Sequence, residues 1–174
     1  PTGKRKAAPR NQSMQQSRDL VCPVVVIDIR SRAAEDADTM LTPADIQAWT
    51  ERHGPVPDGA VVAMNSGWAA KVTGPGFPNT ASDGSQHYPG FHPEAASMLL
   101  DETTTAAIAS DTLPIDRGMS EDFAAHYNWL PANRYGIECL AGLNQVPEAG
   151  ATLIVGASKV VGSTGGQARV FAMV

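Results

Sequence analysis

Cysteine is scarce in this chain: Cys22 and Cys139 are the only two in 174 residues, and they form no C-x-x-C. That excludes a disulfide framework and a thiolate-bound structural zinc, and it fits a reducing compartment, with the cytoplasm as the expected location. Both thiols are expected to pack as small apolar side chains. Long apolar runs are missing too. VVVIDI and TLIVGA are strand-length, well short of the roughly 18–20 residues a membrane helix needs, so no membrane span is expected. The run VCPVVVI near the start reads as a core strand rather than a leader. Aromatic residues make up only 6%, and from residue 20 onward eight basic residues face seventeen acidic ones. No basic, aromatic-bearing face is available there, so no nucleic-acid partner is expected. The four histidines, His53, His87, His92 and His126, include no H-x-x-x-H pair.

What is present is the composition of an ordinary folded domain. Hydrophobic residues make up 43% and charged residues 18%, and the length suits one domain with a substantial core. Five of the thirteen basic residues (Lys4, Arg5, Lys6, Arg10 and Arg18) fall in the first twenty positions, where Asp19 is the only acid. Residues 1–20 therefore read as a disordered or remodelled basic segment and residues 21–174 as the folded body. A basic, acid-poor start also admits a targeting segment or a phosphate contact.

Along the body, β-branched residues 24–30 predict a strand buried on both faces. Thr42, Pro43 and Asp45 read as N-cap, first helical position and capping partner. Ile46 and Trp49 would face the core, and Gly54 would stop that helix. A strand over residues 60–65, a long Gly/Pro/Asn-rich loop over 71–86, a helix from Pro93 to Leu100 and a strand over 106–111 follow. Strands over 151–157 and 168–173 close the chain. Alternating strands and helices, with no repeat or linker, predict a single α/β domain.

The pair with most chemical content is His126 and Glu138, twelve positions apart. Imidazole and carboxylate readily share a divalent metal. One straight helix would hold them about 18 Å apart and roughly 120° around its axis, so the chain must turn between them. Pro131, Asn133 and Gly136 permit that turn, which predicts helix, break, helix. The competing reading is a locally paired helix-end His and a surface Glu. His87 stands on a polar loop, where it could touch a substrate or carry a proton. His92 reads as a helix N-cap neighbour, and His53 as a complement to a helix C-terminus. Asp111 and Asp116 bracket Thr-Leu-Pro-Ile and are read as turn-shaping rather than as an acid/base pair. Cys139, beside Glu138, is disfavoured as a nucleophile because the carboxylate opposes the thiolate. The stretch GASKVVGSTGGQAR lacks P-loop spacing and reads as a turn between strands, with Lys159 and Arg169 as structural or interface charges.

Seven segments stand in an order that resembles one family: residues 24–30 (VVVIDIR), 41–54 (LTPADIQAWTERHG), 60–68 (AVVAMNSGW), 87–100 (HYPGFHPEAASMLL), 109–116 (ASDTLPID), the His126-to-Glu138 run, and 159–172 (KVVGSTGGQARVFA). Over residues 20–174 the chain resembles the metal-dependent cyclases, which include bacterial kynurenine formamidases and isatin hydrolases. The family signature H-x-G-T-H-x-D-x-P-x-H does not occur in this sequence. The resemblance implies a mixed, partly barrel-like sheet surrounded by helices, and dimers or tetramers. It implies His126 and Glu138 as ligands of Zn or Mn, with the remaining ligands and a general acid/base His supplied by the signature. It also implies substrate contacts by His87, Trp68 (in S-G-W where the family has T-G-W), Thr164 and Gly165. The implied chemistry is metal-dependent hydrolysis of an amide, formamide, cyclic amide or lactone in a small carbonyl substrate. Aryl formamide cleavage in tryptophan breakdown is the most familiar case. The alternative is a shortened, non-catalytic member that keeps the fold and oligomer interface.

Overall fold

The computed structural model describes residues 19–174. The predicted basic segment therefore lies outside the described residues except for its last two. Leu20 is tied to the sheet, its carbonyl accepting from Val155 N at 2.8 Å. The strands are β1 (Val21–Asp28), β2 (Met40–Leu41), β3 (Val61–Asn65), β4 (Gly90–Phe91), β5 (Ala107–Ser110), β6 (Tyr135–Ile137), β7 (Ala151–Ala157) and β8 (Ala168–Met173). The α-helices are α1 (Arg30–Glu35), α2 (Pro43–His53), α3 (Pro93–Glu102) and α4 (Ala124–Trp129). No helix among the described residues is long and apolar enough to cross a membrane.

Six strands form one curled, half-barrel sheet in the order β6-β5-β3-β1-β7-β8. β1, β3, β5 and β6 run parallel, while β7 and β8 add antiparallel edges. β1 lies between β3 and β7, and its side chains alternate between two cores. Val25 and Ile27 join Ile46, Trp49, Leu99 and Trp129 on the side of α2, α3 and α4. Val24 and Val26 join Ala63, Ala109, Leu143 and Leu153 on the other. Burial on both faces explains the continuous β-branched run. α2, α3 and α4 gather on one face, and Leu140 and Leu143 of the segment after β6 help cover the other.

Local signals placed several boundaries. Thr42 N and Oγ1 both donate to Asp45 Oδ2, at 2.7 and 2.8 Å, and Arg32 grips the same carboxylate through two nitrogens at 2.9 and 2.8 Å. Gly54, at φ 88°, ends α2 as expected. The strand predicted from residue 24 starts earlier, at Val21. Pro23 is tolerated because it lies in the part of β1 that pairs with β7 alone, before the pairing with β3 begins at Val24. α1 was not anticipated.

The larger departure concerns Glu138. The helix expected after the break is absent: residues 135–137 form β6, parallel to β5 through Ala107↔Tyr135 and Ala109↔Ile137. Asn133 at φ 60° ends the turn that follows α4, and Trp129 Nε1 donates to Tyr135 O at 2.8 Å. Tertiary pairing with β5 thus overrides local pattern. Glu138 leaves the end of a strand, at the same edge of the sheet as the loop after β5.

Candidate active site

That edge brings together what the sequence holds apart. His126 sits in the first turn of α4, 26% exposed, and Glu138 follows β6, 42% exposed. His126 Nε2 stands 3.2 Å from Glu138 Oε1. Its other ring nitrogen, Nδ1, makes a short hydrogen bond to Asp116 Oδ2. Both partners are carboxylates and can only accept, so the imidazole donates from both nitrogens. Consistently, the hydrogen bonds that the ring donates to Asp116 and Glu138 push the His126 pKa up to about 9. Burial pushes the Asp116 carboxyl up, but hydrogen bonds from the His126 ring and from backbone N–H groups outweigh it and hold it below its ordinary value. The Phe123 ring meets the imidazole edge-on, with centroids 6.0 Å apart.

His126 and Glu138 open onto a cavity of about 1000 Å³. Thr164, Gly165 and Gly166 line it from the turn between β7 and β8, and Ile137, Leu140 and Val155 supply apolar wall. Arg134 and Arg169 also border it. Arg134 Nη1 donates to Thr104 O at 3.0 Å and also to Thr105 O, while the Arg169 guanidinium lies 5.3 Å from the Phe171 ring centroid. Four of the six predicted site residues therefore meet around one space.

The other two stand elsewhere. His87 and Trp68 are not among the residues lining this cavity. His87 Nδ1 pairs with Asp38 Oδ2 at 2.7 Å, and its Nε2 lies 3.0 Å from Ser85 Oγ. Trp68 is 1% exposed, donates from Nε1 to Phe77 O at 2.8 Å, and carries Lys71 Nζ 3.2 Å above its ring. Both brace the long loop.

Asp111 shapes the loop after β5, accepting from Ser66 and Trp68. His92 is itself the N-cap of α3, its Nδ1 accepting from Glu94 N at 3.2 Å. His53 pairs with Glu148 Oε2 at 2.8 Å. Cys22 is buried as predicted, but Cys139 is not. It leaves β6 at φ 57°, which turns it outward onto the cavity wall. Partial burial and the Glu138 charge push its thiol pKa up, as the neighbouring carboxylate led us to expect. The contact of Asp116 with His126 was missed, because the ten-residue gap between them carries no motif.

A nitrogen and a carboxylate oxygen 3.2 Å apart, facing a cavity, with the far ring nitrogen held by a second carboxylate, fit two donors of a divalent-metal site. A closed site needs at least one more. Among the described residues no group of three His, Cys, Asp or Glu side chains stands together to hold an ion.

Fold and comparison define the class. The family model described as "Putative cyclase" matches residues 5–117, and the chain belongs to this cyclase family. Among its relatives is the isatin hydrolase of Roseibium aggregatum, 32% identical over 159 residues, which are 89% of this chain and 60% of that one. The structure of isatin hydrolase A from Labrenzia aggregata, bound to benzyl benzoate, superposes with a TM-score of 0.90 at 36% identity, covering 94% of this chain and 65% of that one. An isatin hydrolase bound to the product analogue thioisatinate gives 0.89 at 30% identity, covering 94% and 64%. Isatin hydrolase A from Ralstonia solanacearum gives 0.89 at 32%, covering 97% and 65%. The chain thus spans between 60% and 65% of the length of these relatives.

Proposed function

We propose that this chain carries the pocket and two metal donors of a hydrolase that opens a cyclic amide of the isatin type. Water adds to the ring amide carbonyl, the C–N bond breaks, and a carboxylate and an amine result. The observation that carries this reading is the His126–Glu138 pair facing the cavity, with Nε2 and Oε1 3.2 Å apart. Similarity to isatin hydrolases over 89% of the chain supports the cyclic amide as substrate class.

His126 Nε2 and the Glu138 carboxylate would hold Zn²⁺ or Mn²⁺, the remaining donors being of the kind the family signature supplies. When bound, such an ion polarises a carbonyl and lowers the pKa of nearby water. Ile137, Leu140 and Val155 would shed water from the flat face of a fused aromatic ring, and Thr164 and Gly165 would border its polar edge. We place the protein in the cytoplasm as a homo-oligomer, the exposed Phe171 and Met173 on edge strand β8 offering an apolar contact.

A second reading, a chain that keeps the fold without catalysis, is favoured by one observation: only two donors stand together among the described residues. The test is isatin ring opening by the chain loaded with Mn²⁺ or Zn²⁺, with an N-formyl aniline as open-chain contrast. We expect isatin hydrolysis that EDTA, His126→Ala and Glu138→Ala each abolish. No hydrolysis above buffer would overturn the enzyme reading in favour of the second, and preference for the formyl aniline would overturn the cyclic-amide class.

A further inference from the structure

Asp116 approaches His126 from behind, and its backbone is fixed before its side chain is considered. Phe91 N donates to Ile115 O at 2.7 Å, and a Cβ placed on Gly90 would lie 2.3 Å from Asp116 C and 2.1 Å from Arg117 N. β4 therefore presses directly on this segment, and only glycine allows it. The Asp116 side chain is 3% exposed. Three donors converge on its carboxylate: Ala125 N at 2.8 Å on Oδ1, His126 N at 3.1 Å on Oδ2, and the His126 ring Nδ1 on the same Oδ2. α4 has no side-chain cap at Phe123, so Asp116 serves its first turn from a distance. Capping alone does not require the ring. Oδ2, however, binds the backbone and the imidazole of one residue together, which fixes that ring about its side-chain bonds.

We propose that Asp116 is a positioning residue that sets the orientation and tautomer of His126. A buried carboxylate can only accept, so it keeps the proton on Nδ1 whether the ring carries one proton or two, and Nε2 is the nitrogen that faces Glu138 and the cavity. The metal consequence of this assignment rests on the reading of the site given above; the tautomer does not. A carboxylate behind a ligating imidazole typically strengthens metal affinity by about 10- to 100-fold.

The test uses protein labelled with ¹⁵N at histidine, metal-free and near pH 10, where the ring carries one proton. Two-bond ¹H–¹⁵N correlations then distinguish Nδ1–H from Nε2–H. We expect Nδ1–H for His126 in the wild type. In Asp116→Asn the amide oxygen can still serve Ala125 N–H, which turns the NH₂ against the ring and moves the proton to Nε2. Zn²⁺ affinity, measured by competition with a chromophoric chelator, should fall by about 10- to 100-fold in that variant. Should the variant not fold, the wild-type spectrum still decides. Nε2–H in the wild type would overturn the proposal, as would an Asn variant with unchanged tautomer and affinity. Nδ1–H in a wild type that binds no more Zn²⁺ than His126→Ala upholds the positioning and overturns the metal reading.

Discussion

Ser66 and Asp111, 45 residues apart, are joined at the ends of neighbouring strands: Ser66 Oγ donates to Asp111 Oδ1 at 2.5 Å, and Ser66 N to the same oxygen at 3.1 Å. Trp68 N donates to Oδ2 at 2.8 Å. Asp111 is 1% exposed and Ser66 5%, so one buried carboxylate satisfies three donors. Asp111→Ala leaves them unpaired. Since a buried unsatisfied donor costs about 1–3 kcal/mol, we expect a loss of roughly 3 kcal/mol or more in urea unfolding. A loss below about 1 kcal/mol would contradict this account of the junction.

Gly90 gives a sharper steric prediction. A methyl there would meet backbone atoms of residues 116 and 117 at 2.3 and 2.1 Å, and backbone cannot swing aside as a flexible side chain can. Gly90→Ala should destabilise by about 3 kcal/mol or more, at or beyond the usual range for overpacking. It should also broaden the His126 ring resonances, because the displaced segment carries Asp116. Wild-type stability in this variant would show that β4 is not pressed against that segment.

The His126 pKa, raised to about 9 from 6.5, has a consequence for stability in the absence of metal. A folded-state pKa above the unfolded one means that the folded protein holds the proton more tightly. The stabilisation is therefore complete below about pH 6.5 and is lost as pH rises through 9. Unfolding midpoints in EDTA should fall between pH 7 and 10 more steeply for wild type than for His126→Gln. Parallel curves would sink this prediction.

His87 anchors the loop over residues 72–86 through Asp38 and Ser85. Both the His87 and Asp38 side chains are about 30% exposed, which limits the contribution of the pair to global stability to roughly 1 kcal/mol or less. Asp38→Asn and His87→Ala should each leave the unfolding midpoint nearly unchanged while speeding proteolysis within the loop. Unaltered cleavage of both variants would show that the pair does not hold it.

Legibility in the sequence followed how local each feature is. Thr42, Pro43, Asp45 and Gly54 encode the ends of α2 within one turn each, and β7 and β8 cover the residues expected for them, 151–157 and 168–173. β6 was missed because Tyr135-Gly136-Ile137 is a strand only by virtue of β5 beside it. The pairing of His126 with Glu138 was legible as a turn between two donors, although the turn leads into a strand. Cys139 was misread as buried because its outward direction follows from φ 57° at the strand exit, which composition does not encode. Asp116 showed only its neighbours in sequence. Its partner arrives ten residues later through the packing of α4.

Metal binding by His126 and Glu138, as proposed above, is open to direct observation through paramagnetic broadening by Mn²⁺. In ¹H–¹⁵N spectra of the chain titrated with substoichiometric Mn²⁺, the account predicts loss of signal centred on residues 126 and 138, abolished in His126→Ala. Broadening spread over exposed acidic residues such as Glu121 and Asp122, unchanged in that variant, would contradict it.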